Sequence, residues 1–207
     1  MTLVALSASY GAGGSRVGPA LAERLGVPFL DRAIPLAVAE RLHVPYDEAA
    51  AHDEPGGGGR LERLLRGFVG GDTLAPAPVL PDGLRADDFR DATEEELRRQ
   101  AATGEGVVLG RGAALALRDE PGVLRARLDG PPEARVRQAM EFRGLDEDTA
   151  RHALRATDQA HAEYARRFYG ADLADPSLYH VVLDTTAIDL DDAVEVIAIA
   201  ARSVSGG

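Results

Sequence analysis

Cysteine and lysine are both missing from this chain of 207 residues. Without cysteine there is no disulfide and no thiolate metal site, and an oxidising compartment gains no support. Without lysine, all 23 basic residues are arginine. Any side-chain grip on a phosphate must then come mainly from planar, bidentate guanidinium groups. Long apolar runs are missing too: none approaches the ~20 residues of a membrane-spanning helix. The N-terminus lacks a basic stretch followed by an apolar one, so no secretory signal is read and a cytoplasmic location is the default. The five histidines show no metal-ligand spacing such as H-E-x-x-H. Neither a G-x-S-x-G elbow nor a G-x-G-x-x-G fingerprint with a downstream acid is found, which disfavours a serine hydrolase and a dinucleotide enzyme. Net positive charge is also absent. At −11 the chain is ill suited to a broad nucleic-acid surface, although a local arginine cluster can still hold a small anion.

What remains is an ordinary globular composition, 45% hydrophobic and 28% charged, long enough for a single domain with one sizeable core. Its organising stretch is the beginning. Leu3 to Ala8 reads as a buried strand, Ser9 to Ser15 as a glycine-rich turn, and Val17 to Leu25 as a helix. Strand, glycine loop and helix together present backbone N–H groups and a helix N-terminus to a phosphate chain. On the pattern G-x-x-x-x-G-K-[ST], Ala8 takes the first glycine and Gly13 the last, Gly14 stands where lysine is expected, and Ser15 falls on the hydroxyl position that holds Mg2+. A glycine turn that merely permits tight packing fits the same residues.

Further along, Val27 to Asp31 predicts a second short strand, and Ala33 to Leu42 a helix with Pro35 in its first turn. Residues 43–92 change character. Two short helical segments flank Pro55-Gly56-Gly57-Gly58-Gly59, and residues 70–88 read as a long loop, so the whole stretch is expected to be a mobile insertion that closes over a ligand. Thr93-Glu94-Glu95-Glu96 has the form of a capping box and predicts a helix to about Ala102. Strands are expected at Gly106 to Leu109, Val123 to Leu128 and Leu178 to Asp184. Helices are expected from Pro131 to Phe142, Asp146 to Arg167 and Leu190 to Ala201. Alternating strands and helices imply an α/β fold with a parallel sheet covered on both faces.

Two places could carry chemistry. Arg111, between Gly110 and Gly112, follows an apolar strand and should emerge at the carboxyl edge of the sheet, where open α/β folds bind ligands. Arg151, Arg155 and Asp158 are spaced four and three apart and share one helix face, which could clamp a polyphosphate with Asp158 orienting a guanidinium. A solvated charged face would look the same. Asp31, at a strand end beside Arg32, reads either as a ligand contact or as a helix N-cap.

In order and spacing, five segments resemble the cytidylate kinase-like family of P-loop nucleoside monophosphate kinases. They are Tyr10 to Gly18, Leu21 to Arg32, Val107 to Gly112, Leu128 to Arg135 and Tyr179 to Thr186. The resemblance implies a P-loop NTPase-type three-layer fold and transfer of the ATP γ-phosphoryl group to CMP or a related monophosphate, with Mg2+. It further implies that Gly11, Ala12, Gly13, Gly14, Ser15, Arg16 and Val17 cradle ATP, with Ser15 on the metal. Asp31, Arg32 and Arg111 would serve the acceptor, and residues 146–172, bearing Arg151, Arg155 and Asp158, would form a lid. Small-molecule nucleotides are the implied partners, with no nucleic acid and no membrane; a homodimer is left open. Two departures stand out: Gly14 for lysine, with Arg16 the nearest replacement for the ammonium, and His161 where a D-x-x-R pattern ends in arginine. A nucleotide-binding protein without turnover, and a kinase with a non-nucleotide acceptor, are the alternatives.

Overall fold

Apolar runs without alternation belong in a sheet that is covered on both faces. In the computed structural model, which describes residues 2–30, 86–110 and 112–205, two such runs and two more polar ones pair in parallel. They are β1 (Thr2–Ala8), β2 (Glu105–Leu109), β3 (Val123–Asp129) and β4 (Val181–Asp184), in the order β2-β1-β3-β4. Central β1 sets Val4 opposite Val107 on one side and Leu124 on the other. The segment expected to be the second strand meets β2 through a parallel bridge of Phe29 with Val107.

Six helices accompany the described strands: α1 (Gly14–Leu25), α2 (Ala86–Thr103), α3 (Ala113–Ala116), α4 (Pro132–Arg143), α5 (Glu147–Tyr169) and α6 (Leu190–Ser205). On one face Val4 and Leu6 pack with Val17 and Leu21 of α1 and Ile197 of α6. On the other, Leu3 and Ala5 pack with Leu97 of α2, Leu117 and Tyr164 of α5. This is the expected three-layer arrangement, and each fully buried Leu or Ile contributes roughly 1.5–3 kcal/mol. A third cluster sets Tyr10, in the turn after β1, against Val136 and Ala139 of α4 and Leu154 of α5. Both helices thereby lean on the glycine turn.

Four local expectations need correction. Helix α2 starts at Ala86, inside the stretch expected to be loop up to residue 88; Thr93 is buried inside the helix, and the Glu96 carboxylate is held by Arg99 and Gln100. A Thr-x-x-Glu spacing arises inside a helix as readily as at its start. Helix α1 begins at Gly14, ahead of Val17, because Gly13 takes the left-handed cap conformation. The last strand begins at Val181, not Leu178: the Asp175 carboxylate accepts from the Ser177 N–H and starts a 3-10 turn at Pro176–Leu178. The short α3 has too few residues to show a periodicity. Residues 31–85, which include the expected helix from Ala33, lie outside the described residues, as does Arg111. No described helix is long and apolar enough to cross a membrane.

Candidate functional site

The turn from β1 to α1 is the structural centre of the carboxyl edge. Gly11 and Gly13 have φ of 78° and 77°, a region open to glycine at little cost. A Cβ on Gly11 would stand 2.3 Å from the Arg135 carbonyl oxygen, so the position is closed to other residues by contact as well as by conformation. The Arg16 and Val17 N–H groups turn back to the Gly13 carbonyl at 3.0 and 2.9 Å and open the helix there.

Gly14 explains the missing lysine. A Cβ at this position would lie 2.6 Å from the Ala8 Cβ and 3.2 Å from Leu109 Cδ1. The two replacements therefore belong together: the methyl group on Ala8, where the usual pattern has glycine, fills the space that a side chain at residue 14 would need. Next to it, Ser15 is exposed in the first turn of α1.

Three groups, two of them buried, hold the turn from behind. The Arg135 guanidinium, only 5% exposed as a residue, donates to the Tyr10 carbonyl at 2.9 Å and to Asp158 Oδ2 at 2.8 Å. Asp158 Oδ1 in turn accepts from the Tyr10 N–H at 3.1 Å. From the other side the buried Thr185 hydroxyl donates to the Ala12 carbonyl at 2.7 Å. Asp158 does orient a guanidinium, but it is that of Arg135 on α4. In the sequence, Arg135 and Thr185 do not stand out from the segments that contain them. The one signal for Arg135 is its place beside Val136 and Ala139 on the inward face of α4, where an arginine must find carbonyl or carboxylate partners.

A second polar cluster lies against the start of the turn. Arg127 on β3 donates to Asp129 Oδ2 at 3.0 Å and to Ser9 Oγ at 2.8 Å, beside the Tyr179 ring. Burial works against the Asp129 carboxylate, yet the Arg127 charge and the Ser9 hydroxyl hold its pKa below the usual value.

The outer arginines are arranged differently. Arg151 is bound by Glu133 of α4, at 2.6 and 2.5 Å, and by Glu147 at 2.8 and 2.7 Å. Arg155, one turn closer to Asp158, is exposed and near enough to Glu133 to help lower its pKa, after the larger effect of the Arg151 hydrogen bonds. Asp31, Arg32 and Arg111 fall outside the described residues. Gly110 and Gly112, on either side of Arg111, are described: the Gly110 N–H donates to the Leu6 carbonyl at 2.8 Å. A Cβ on Gly112 would meet Tyr164 and Tyr169 at 3.2 and 3.3 Å.

Beside the turn opens a cavity of about 600 Å³ between α1, α4 and the segment leading into α6. Arg16, Gln138, Phe142, Thr186, Ile188 and Asp189 are among its lining residues. The Arg16 guanidinium carbon lies 3.8 Å from the centre of the Phe142 ring of α4.

The model of the cytidylate kinase-like family matches residues 3–187, most of the chain and all the strands described. The chain belongs to the cytidylate kinase-like family. Among curated proteins it is similar to a cytidylate kinase of Methanopyrus kandleri, 29% identical over 123 residues, which cover 54% of this chain and 64% of that protein. The match thus spans less than two thirds of that relative's length. Among solved structures, an uncharacterized protein from Eubacterium ventriosum superposes with a TM-score of 0.69 at 20% identity, covering 98% of both chains. A shikimate kinase from Bacteroides thetaiotaomicron superposes with a TM-score of 0.51 at 17% identity, covering 97% of this chain and 98% of that one. A gluconokinase from Sinorhizobium meliloti gives 0.50 at 17%, covering 99% and 94%. The fold of this family member is therefore that of the P-loop kinases.

Proposed function

We propose that the protein is a phosphotransferase that moves the γ-phosphoryl group of ATP to a nucleoside monophosphate, CMP or a close relative. The observation that carries this reading is the buttressed turn, with positive φ at Gly11 and Gly13 and support from Arg135, Asp158 and Thr185. A loop that must hold its N–H groups in place before the anion arrives needs such support, because a preorganised cradle does not have to rearrange during the reaction. The backbone from Gly11 to Val17 receives the donor phosphates in this reading, and the cavity beside α1 receives the donor base. Asp31, Arg32 and Arg111 serve the acceptor; Arg151 and Arg155 neutralise charge on the transferring group.

No group of three His, Asp or Glu able to hold a metal occurs among the described residues. A Mg2+ ion carried in with a nucleotide needs only one or two protein ligands, and the exposed Ser15 in the first turn of α1 suits that position. When bound, the ion supplies charge neutralisation on the phosphates. The remaining work is done by the chain itself, through positioning and guanidinium charge. Closure of the arginine-bearing face would exclude water, so that the acceptor rather than solvent attacks.

A second reading is favoured by one observation: Gly14 is packed against Ala8, so the usual lysine is sterically excluded. In that reading the protein binds nucleotide without turning it over. Coupled ADP release across a panel of nucleoside monophosphates, with shikimate and gluconate as controls, separates the two. Turnover with one pyrimidine monophosphate supports the kinase. ATP binding without ADP release for any acceptor supports the second reading.

A further inference from the structure

The chain lacks the lysine that would reach the donor phosphates, and Arg16 is the nearest cation in sequence. Its placement points elsewhere. Two residues along an α-helix turn the side chain by about 200°, so Arg16 leaves α1 nearly opposite Gly14, which faces Ala8 and Leu109 in the sheet. The guanidinium carbon comes to rest 3.8 Å from the centre of the Phe142 ring, and no carboxylate pairs with Arg16 among the described residues. That is unusual company for an arginine in a chain with 34 acidic residues.

Arg16 and Phe142 together line the cavity of about 600 Å³, which is large enough for a base and its ribose. Ile188 and Gln138 also line this cavity. Ile188 is 37% exposed in its wall, an apolar side chain open to water. Gln138, one turn before Phe142 on α4, has its Nε2 buried without a hydrogen-bond partner among the described residues.

We propose that Arg16, held by Phe142, is the stacking platform for the nucleobase of the donor, and is not a substitute for the missing ammonium. Guanidinium groups stack on aromatic faces through their planar, weakly hydrated surface, which an ammonium lacks. The aromatic base lies against Arg16, and Ile188 offers it a second apolar contact. This inference rests on the proposed binding of ATP at the turn.

The two roles for Arg16 differ in what they read, charge or plane, and in which part of the ligand they touch. The test is calorimetric titration of Mg·ATP and of magnesium tripolyphosphate, which has no base, into the wild type, Arg16→Ala, Arg16→Lys and Phe142→Leu. A platform predicts that Arg16→Ala and Arg16→Lys both weaken ATP by roughly tenfold. Tripolyphosphate affinity stays unchanged in both, the thermal midpoints stay within a degree or so, and Phe142→Leu follows the same pattern with Arg16 intact. Retention of ATP affinity in Arg16→Lys, or equal weakening of ATP and tripolyphosphate in Arg16→Ala, overturns the platform and returns Arg16 to the phosphates. Should the wild type bind ATP and all three variants match it, the platform fails while the proposed function stands. Failure of the wild type to bind ATP removes both.

Discussion

The glycine turn and the outer face of α5 are both arginine-rich, yet they are built on opposite plans. At the turn, one buried guanidinium has every contact inside the protein: Arg135 reaches the Tyr10 and Gly130 carbonyls and the Asp158 carboxylate, and nothing about it is available to a ligand. On the outer face, Arg151 exchanges hydrogen bonds with two glutamates in open solvent, where such pairs are weak and readily traded. The buried arginine shapes the cradle; the exposed ones are free to move to a new anion. In a phosphoryl-transfer site both are needed, a rigid backbone for the donor and mobile charge for the transferring group.

The contrast can be broken from either side. The largest effect is expected from Arg155→Ala, which should lower the rate of ADP release by about 1000-fold, the scale of an arginine acting on the transferring group. The urea midpoint should not change, because the side chain is exposed. Next is Asp158→Asn. It removes the nearer of the two carboxylates that face Arg135, leaving Asp129 at 3.6 Å, and should cost about 2–3 kcal/mol in urea unfolding, together with loss of ATP binding. Gly14→Lys comes third. The clash with Ala8 should cost about 1–3 kcal/mol, and the double variant Ala8→Gly, Gly14→Lys should recover most of it. If the double variant is no better than the single, the linkage between residues 8 and 14 is wrong.

The smallest effect concerns pH. The His180 Nδ1 accepts the Arg125 N–H at 3.1 Å, and burial, aided by the nearby Arg125 charge, lowers the imidazole pKa. A group whose folded-state value lies below its unfolded one of about 6.5 stabilises fully above that pH. The contribution is lost as the pH falls through the folded value. Thermal midpoints should therefore decline modestly below about pH 6.5, and the decline should be shallower in His180→Asn.

The layered fold could be read from the residues alone, because it follows from period and punctuation. Leu3 to Ala8 and Val107 to Leu109 are apolar on both faces, and only a covered parallel sheet satisfies them. The same holds for the glycine turn between β1 and α1, where glycine spacing carries the signal. What the residues did not disclose depends on contacts between segments far apart in the chain. Nothing near Arg135 names Tyr10 or Asp158 as its partners, 125 and 23 positions away. The vacancy at Gly14 looks like a defect until Ala8 is seen beside it. Arg16 illustrates the same limit: nothing near it in the chain names Phe142, 126 positions away, as its partner.

One measurement bears most directly on whether this turn grips a triphosphate without an ammonium: calorimetric titration of the wild type with Mg·ATP. One-to-one binding with a dissociation constant between about 1 μM and 1 mM is predicted, weakened severely by Gly11→Ala, whose Cβ would strike the Arg135 carbonyl. Absence of binding, or binding indifferent to that substitution, would contradict it.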